Sequence, residues 1–261
     1  GGSEAMILFH YDKTFEGLLS CIFFAYAQKC FPDMILSPSD QQPLFADEQY
    51  VVVSDKVKAS RVWSSLEKKL SKIARRMMMS VWISGLPETE MLLFRYMCKN
   101  IDHPQGVELN FGDTDVLRVK EIAQQVSREA QRLVQFVRFQ ETADGIWFAP
   151  IAPRYNLLPL VVKHFRNRYS SQPWILYDTT RNQGLYWDTH TVHDVSFSPA
   201  DLAALKLGQL NGDKQSDEEQ LIQRMWKEYF RSITIRERLN LKLQQQHMPK
   251  KYWKYLTELQ Q

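Results

Sequence analysis

One acidic and one basic side chain stand three residues apart at the turn of a predicted hairpin, in the stretch Asp178-Thr179-Thr180-Arg181. A carboxylate and a guanidinium that leave one strand end together form a catalytic pair, a contact to phosphate and sugar, or a plain salt bridge. A histidine, the usual general acid or base, lies upstream at His164. The candidate catalytic residues are therefore Asp178, Arg181 and His164, with the salt bridge as the simpler alternative.

Other cations occur beside aromatic residues in three stretches, VQFVRFQE, VVKHFRNRY and QHMPKKYWKYL. Lysine and arginine neutralise phosphate groups, and exposed aromatic rings stack on bases. We therefore predict a nucleic-acid surface made of Arg138, Arg166, Arg168, Arg181, Lys250, Lys251 and Trp253. The alternative for the last stretch is structural: Trp253 docks a final helix on the core, and the lysines face solvent.

Motifs for metal and cofactor chemistry are absent from the sequence. It contains no HExxH, GxSxG, DxDxDG, GxGxxG or GxxxxGK pattern. The three cysteines are too scattered for a zinc site or a disulfide framework. His190 and His193 lie three residues apart, so on a strand they face opposite sides and do not chelate one ion. We predict neither a metal nor a cofactor.

Charge is unevenly distributed along the chain. The formal net charge is +3, but from Arg224 onward nine Lys and Arg residues stand against three Asp and Glu residues. A basic C-terminal part on a mildly acidic chain favours nucleic acid as a partner. No stretch approaches the roughly 18 apolar residues of a membrane-spanning helix, and no cleavable leader is present. We expect a cytoplasmic protein without membrane contact.

The elements that would position these residues indicate an α+β fold. VQFVRFQE with IWFAPIA, and PWILYD with GLYWD, are typical of two β-hairpins, and the helix NLLPLVVKHFRNRY lies between them. VHDVSF is a further strand. This order predicts a small, saddle-shaped antiparallel ββαββ sheet surrounded by helices. It argues against a nucleotide-binding Rossmann fold, because no βαβ unit carries a glycine-rich turn.

The domain boundaries follow from the same patterns. GGSEA at residues 1–5 is typical of an expression tag, which leaves one α+β domain over residues 6–261. Within it we predict a helical part at 6–132, the central sheet at 133–197 and C-terminal helices at 198–261. The first part also holds the short strands MILFHYD and YVVVSD, and Thr14 and Asp113 or Thr114 are helix caps.

Three long segments resemble a bacterial family of DNA-metabolism or DNA-repair proteins, otherwise a domain of unknown function. They are FHYDKTFEGLLSCIFFAY, the region from RLVQFVRFQE to PWILYDTTRNQGLYWD, and LNLKLQQQHMPKKYWKYLTEL. The resemblance implies a DNA-repair setting. It also implies a radical-SAM protein encoded nearby as partner, and fusion in some species to a domain of the uracil-DNA glycosylase superfamily. The resemblance transfers no role to the residues that match the family's motifs, which include Tyr11, Asp12, Arg138, His164, Arg168, Asp178, Arg181, Met248, Pro249 and Trp253. This chain has no CxxxCxxC, so it is not itself the radical-SAM protein.

Three functions follow as hypotheses. The first is a DNA-repair accessory protein that binds DNA or a damaged-DNA intermediate and acts with the radical-SAM partner. The second is a scaffold that binds the partner enzyme without nucleic-acid contact and exposes an apolar patch. The third is a DNA-processing enzyme in which Asp178, Arg181 and His164 converge in one pocket.

Overall fold

The computed structural model describes residues 5–141, 145–196, 234–235 and 252. The chain divides into two compact units. The first, called here the N-terminal unit, comprises residues 1–127 together with 242–259 and 261, and the second, the central unit, comprises residues 128–241 and 260.

A three-stranded parallel sheet forms part of the N-terminal unit. Strands β1 (Ile7–His10), β2 (Met34–Leu36) and β3 (Glu48–Val51) lie in the order β2-β1-β3, and both pairs are parallel. The predicted strands are present, but a helical description of residues 6–132 omitted the sheet that they form. The pairing of β1 with β2 and β3 depends on how α1 and the loop after β2 return the chain. The sequence patterns of short strands do not specify these connections.

Five helices begin within residues 5–127 of this unit, and two of them are capped by the predicted residues. They are α1 (Phe15–Gln28), α2 (Lys56–Lys69), α3 (Lys72–Ile83), α4 (Thr89–Asp102) and α5 (Thr114–Phe136). The Thr14 hydroxyl accepts a hydrogen bond from the Gly17 N–H at 2.9 Å. Asp113 caps α5, since its Oδ1 accepts from the N–H groups of Asp115 and Val116 at 2.9 and 3.2 Å.

A six-stranded sheet forms the central unit. Its elements are β4 (Gln140–Glu141), β5 (Trp147–Ile151), α6 (Leu158–Arg168), β6 (Trp174–Asp178), β7 (Gln183–Trp187), β8 (Val192–Ser196) and β9 (Thr234–Ile235). The strands lie in sequence order, β4-β5-β6-β7-β8-β9. The predicted α+β class and the strand–strand–helix–strand–strand order are both confirmed.

The sheet is mixed, whereas an antiparallel sheet was predicted. Strands β5 and β6 are parallel, with Trp147 opposite Trp174 and Ile151 opposite Asp178, and the other pairs are antiparallel. A helix between two adjacent strands returns the chain to the end where it started, so α6 makes this pair parallel. Both strands therefore end at the same edge, and Asp178 lies beside Ile151.

Two local predictions were wrong in their boundaries. The predicted strand VQFVRFQE is helical to Phe136 and forms a strand only at Gln140–Glu141, because its apolar residues also fit helical spacing. Thr234–Ile235, placed within the C-terminal helices, pairs antiparallel with β8. The other helices predicted over 198–261 lie outside the described residues, apart from Tyr252, which is helical.

Each unit has its own aromatic core. In the N-terminal unit Phe9, Phe15, Trp82 and Tyr96 are fully buried. In the central unit the fully buried aromatic residues are Phe165, Trp174 and Tyr177. Across the described ranges, every helix is too short or too polar to cross a membrane.

Candidate nucleic-acid interface

Asp178 and Arg181 form a buried ion pair at the turn between β6 and β7. Arg181 Nη1 donates to Asp178 Oδ2 at 3.0 Å, and Asp178 Oδ1 accepts from the N–H groups of Thr180 and Arg181 at 3.0 and 3.1 Å. The Asp178 side chain is 0% exposed and that of Arg181 is 25% exposed. Burial raises the pKa of Asp178, and the Arg181 charge together with the two N–H groups offsets part of that effect. This geometry favours the salt-bridge interpretation.

The Arg181 guanidinium also holds the loop that follows β5. Its Nη1 donates to the Pro153 carbonyl at 3.1 Å and its Nη2 to the Arg154 carbonyl at 2.6 Å. From the other side, the Glu129 carboxylate on α5 accepts from the N–H groups of Arg154 and Tyr155 at 3.1 and 3.0 Å. Two charged side chains thus fix one short loop, which we call the clamped loop, residues 153–155.

His164 does not join this pair in the described structure. It lies on α6, half-buried, with its ring against Phe165 at a centroid distance of 5.3 Å. Within the described residues, no hydrogen bond or ion pair connects it to Asp178 or Arg181. A catalytic role for the three residues together stays a prediction.

A cleft of about 620 Å³ opens between the end of α5 and the end of β5. Such a volume is typical of sites for small organic ligands. Its walls are mostly apolar and include one side of the clamped loop; they comprise Leu133, Phe136, Val137, Pro150, Ile151, Ala152, Pro153 and Leu157. Its polar lining residues are Glu129, Arg138 and Gln140. Sequence reasoning singled out Arg138 but missed the cleft, because its walls come from separate elements.

Arg138 and the two predicted arginines of α6, Arg166 and Arg168, lie at different places in the central unit. Phe139 packs against Phe165 and Trp174, at ring distances of 5.7 and 6.2 Å, and so faces α6. Its neighbours Arg138 and Gln140 line the cleft instead. The cleft lining includes Arg138 and none of the three cations of α6, so the cleft is a separate site from those cations.

Helix α6 carries exposed positive charge and has no acidic residue in its own sequence. Its sequence, LPLVVKHFRNR, contains no Asp or Glu. Lys163, Arg166 and Arg168 are exposed, and within the described residues no ion pair engages them. The Arg168 guanidinium lies 6.0 Å from the centre of the Tyr169 ring. Two of the cations occupy the last turn, where they also complement the helix dipole.

The described residue of the C-terminal stretch, Tyr252, packs in the core, and it was not among the residues predicted to do so. Tyr252 is fully buried, with its ring 5.0 Å from Phe15 and 4.9 Å from Trp63 in edge-to-face geometry. Tyr252 is therefore part of the aromatic core of the N-terminal unit. The predicted contacts Lys250, Lys251 and Trp253 lie outside the described residues.

His190 lies in the connection between β7 and β8, and His193 lies in β8. His193 Nε2 lies 2.8 Å from Asp188 Oδ2, and Asp188 Oδ1 accepts from the N–H groups of His190 and Thr191. Burial alone would raise the pKa of Asp188, but the bonds from Thr191, His193 and His190 lower it below its ordinary value. Among the described residues, no group of three or more His, Cys, Asp or Glu side chains is placed to hold a metal ion.

A buried polar cluster at the end of β1 was missed altogether. The Tyr11 hydroxyl donates to Glu90 Oε1 at 2.8 Å, and Lys13 Nζ approaches the same oxygen at 3.3 Å. Burial and the Glu90 carboxylate raise the pKa of Tyr11 well above its usual range. The two partners are 79 residues apart in the chain, so no local spacing connects them. The cluster ties the end of β1 to α4.

Residues 87–258 match DUF4130, a domain of unknown function. The match covers more than half of the chain, including α4, α5, the six-stranded sheet and Tyr252, and the chain belongs to this family. This agrees with the resemblance to a domain of unknown function. A comparison with curated proteins finds no match.

Proposed function

We propose that this protein binds DNA through the central unit, with the exposed cations of α6 contacting the phosphate backbone. The observation that carries the proposal is that Lys163, Arg166 and Arg168 are exposed, with no ion pair to any described residue, on a helix without acidic residues. Unpaired cations release condensed counterions when they bind phosphates, and that release is the main source of affinity for DNA.

The repair setting enters the proposal through the family resemblance. There the chain is a DNA-repair accessory protein that acts with a radical-SAM enzyme encoded nearby, and a protein of the uracil-DNA glycosylase superfamily is a further partner. In this scheme Asp178 and Arg181 stabilise the central unit through the clamped loop, and the partner enzyme carries out the chemistry on DNA. The predicted contact Arg181 serves as a positioning residue in this scheme.

Fluorescence anisotropy tests the proposal. Labelled single-stranded, duplex and uracil-containing DNA is titrated at two salt concentrations. The variant Arg166→Gln/Arg168→Gln should lower the salt slope of log K by about 2 on duplex DNA, since each lost phosphate contact removes about 0.9. The matched control is Lys56→Gln/Lys68→Gln, which removes two exposed cations from α2 in the N-terminal unit.

Two results would contradict the proposal. One is the absence of salt-dependent binding to all three DNAs. The other is an equal loss of affinity in the α6 variant and in the α2 control, because a diffuse charge effect does not depend on which cations are removed. Circular dichroism of both variants confirms that the fold is intact before the titrations are compared.

A second candidate function, the scaffold, is favoured by exposed apolar side chains close to β3 in the chain. Five apolar side chains with exposed fractions from 71% to 93% lie before, in and after this strand: Leu44, Phe45, Val51, Val53 and Val57. Exposed apolar patches mark protein-binding surfaces. Under this function Phe45→Ser/Val53→Ser abolishes co-purification with the radical-SAM partner and leaves DNA titrations unchanged. Retention of the partner by this variant would remove the candidate.

A further inference from the structure

We infer that the cleft between α5 and β5 binds one nucleotide of an unpaired DNA strand, with its base on Phe136 and its phosphate on Arg138. The inference deepens the proposed function and rests on it for the choice of DNA as the polymer. The cleft is a different surface from the cations of α6, so the two are separable by experiment.

The first observation is a buried amide oxygen without a hydrogen-bond partner on a half-buried side chain. Gln140 lines the cleft, and its Oε1 is buried with no hydrogen-bond partner among the described residues. A buried polar atom left without a hydrogen bond costs about 1–3 kcal/mol. A ligand that presents hydrogen-bonding groups along one edge removes this cost. Nucleobases present both donors and acceptors, so they match the amide in either orientation.

The second observation is an aromatic ring held out to solvent at the same cleft. Phe136, the last residue of α5, lines the cleft and is 73% exposed. An exposed phenylalanine ring offers a flat apolar face, on which a base stacks without sequence preference. The nearby walls from Val137 and Pro150 are also apolar.

The third observation is the charge arrangement. Arg138 is exposed, and within the described residues no ion pair engages it. Glu129 lies seven residues before Phe136 on α5, so the carboxylate sits about 10 Å along the helix from the ring. Glu129 is also bound by the two N–H groups of the clamped loop. At one end of the cleft, the Glu129 carboxylate is therefore already bound by backbone N–H groups. At the other end, the Arg138 guanidinium has no ion pair among the described residues and attracts phosphate.

Together these features select the chemical class of the ligand. A flat face, a hydrogen-bonding edge and an anion within one ligand describe a nucleotide, whereas a purely apolar ligand would leave Gln140 and Arg138 unused. The cleft lies at the surface, so it accepts a base from a single strand or an unstacked position and does not accept paired bases inside a duplex.

The test uses a short thymidine oligonucleotide that contains one 2-aminopurine, together with free thymidine monophosphate. In the wild-type protein, binding changes the 2-aminopurine fluorescence. Phe136→Ala should weaken single-strand binding by about 5- to 150-fold, the effect of losing one base stack. Phe45→Ala is the matched control, because Phe45 is an exposed phenylalanine of the N-terminal unit (85% exposed), and it should change nothing.

Gln140→Leu keeps the test independent of misfolding. This substitution removes a buried amide oxygen that has no hydrogen-bond partner among the described residues, so the variant should unfold at the same or a higher urea concentration than the wild type. It should nevertheless bind the oligonucleotide more weakly, by about 5-fold or more. Lower stability with unchanged binding would overturn the inference.

The outcomes distinguish the inference from the proposed function. If duplex and single strands bind with normal salt dependence but Phe136→Ala and Gln140→Leu have no effect, the inference is overturned and the proposed function stands. If no DNA binds while saturation-transfer NMR detects thymidine monophosphate that Phe136→Ala abolishes, the cleft assignment stands and the proposed function is overturned. If neither ligand binds, both are wrong.

Discussion

The Arg181→Met substitution offers the sharpest test of the structural role assigned to the Asp178–Arg181 pair. It removes the bond to Asp178 and the two bonds to the carbonyls of Pro153 and Arg154. It also leaves the fully buried Asp178 carboxylate with only two N–H partners. Removing one partner of a buried pair costs about 3–5 kcal/mol. Because Arg181 is a quarter exposed, we expect about 3 kcal/mol.

A double-mutant cycle isolates the ion pair from the loop contacts. Asp178→Asn preserves the shape of the side chain and its acceptor for the two N–H groups, so it should cost about 1–2 kcal/mol. The double variant Asp178→Asn/Arg181→Met contains no buried charge at this turn. It should therefore be no less stable than Arg181→Met alone, which gives a coupling of about 1–2 kcal/mol. Urea unfolding followed by tryptophan fluorescence measures all four proteins.

The pH dependence supplies a second readout of the same pair. Burial raises the pKa of Asp178, so the folded state holds this proton more tightly than the unfolded state does. Its contribution to stability is therefore largest below the ordinary value of 3.8 and falls as pH rises through the folded pKa. The fall should be steeper in Arg181→Met. Strict additivity of the two single changes, within about 0.5 kcal/mol, would refute the buried-pair argument.

Two further predictions concern the N-terminal unit. Tyr252→Ala should destabilise the protein by about 3–5 kcal/mol in urea unfolding, because it empties a fully buried site beside Phe15. Asp115→Asn should cost about 1–2 kcal/mol at pH 7, because burial alone would raise the pKa of Asp115 but hydrogen bonds from Arg95 and Lys99 lower it. A lowered pKa contributes stability above the ordinary value of 3.8, so the difference from wild type should vanish at lower pH.

Each of these has a control and a refuting result. Phe136→Ala alters an aromatic residue that is 73% exposed and should change stability by less than about 0.5 kcal/mol. If Tyr252→Ala is equally mild, the C-terminal stretch is not docked as described. For Asp115→Asn, a difference from wild type that persists unchanged at pH 3 would show that the carboxylate charge is not the cause.

Local sequence signals predicted most of the elements. Thr14 and Asp113 cap the helices that their positions indicated. The hairpin of β6 and β7 also follows its turn residues. Caps and turns depend on hydrogen bonds between residues two to four positions apart, which is why one sequence suffices to locate them.

Strand partners and strand direction could not be predicted in the same way. The helical and alternating patterns overlap between Leu133 and Phe136, and packing resolves them as helix. The parallel pairing of β5 with β6 depends on where α6 packs. Thr234–Ile235 forms a strand because β8 presents an edge to it, and no local pattern contains that information.

For the candidate site, the sequence by itself determined the chemistry available: the pair Asp178 and Arg181, the cations of α6, and Arg138 beside aromatic residues. Only the tertiary structure decided how that chemistry is divided. It buried Asp178, committed Arg181 to the clamped loop, and placed Arg138 with Phe136 and Gln140 in a cleft. The physical reason is that burial and the direction of a side chain depend on contacts between distant residues. Those contacts bury Asp178 with Arg181 at a turn and place Arg138 in the lining of a cleft.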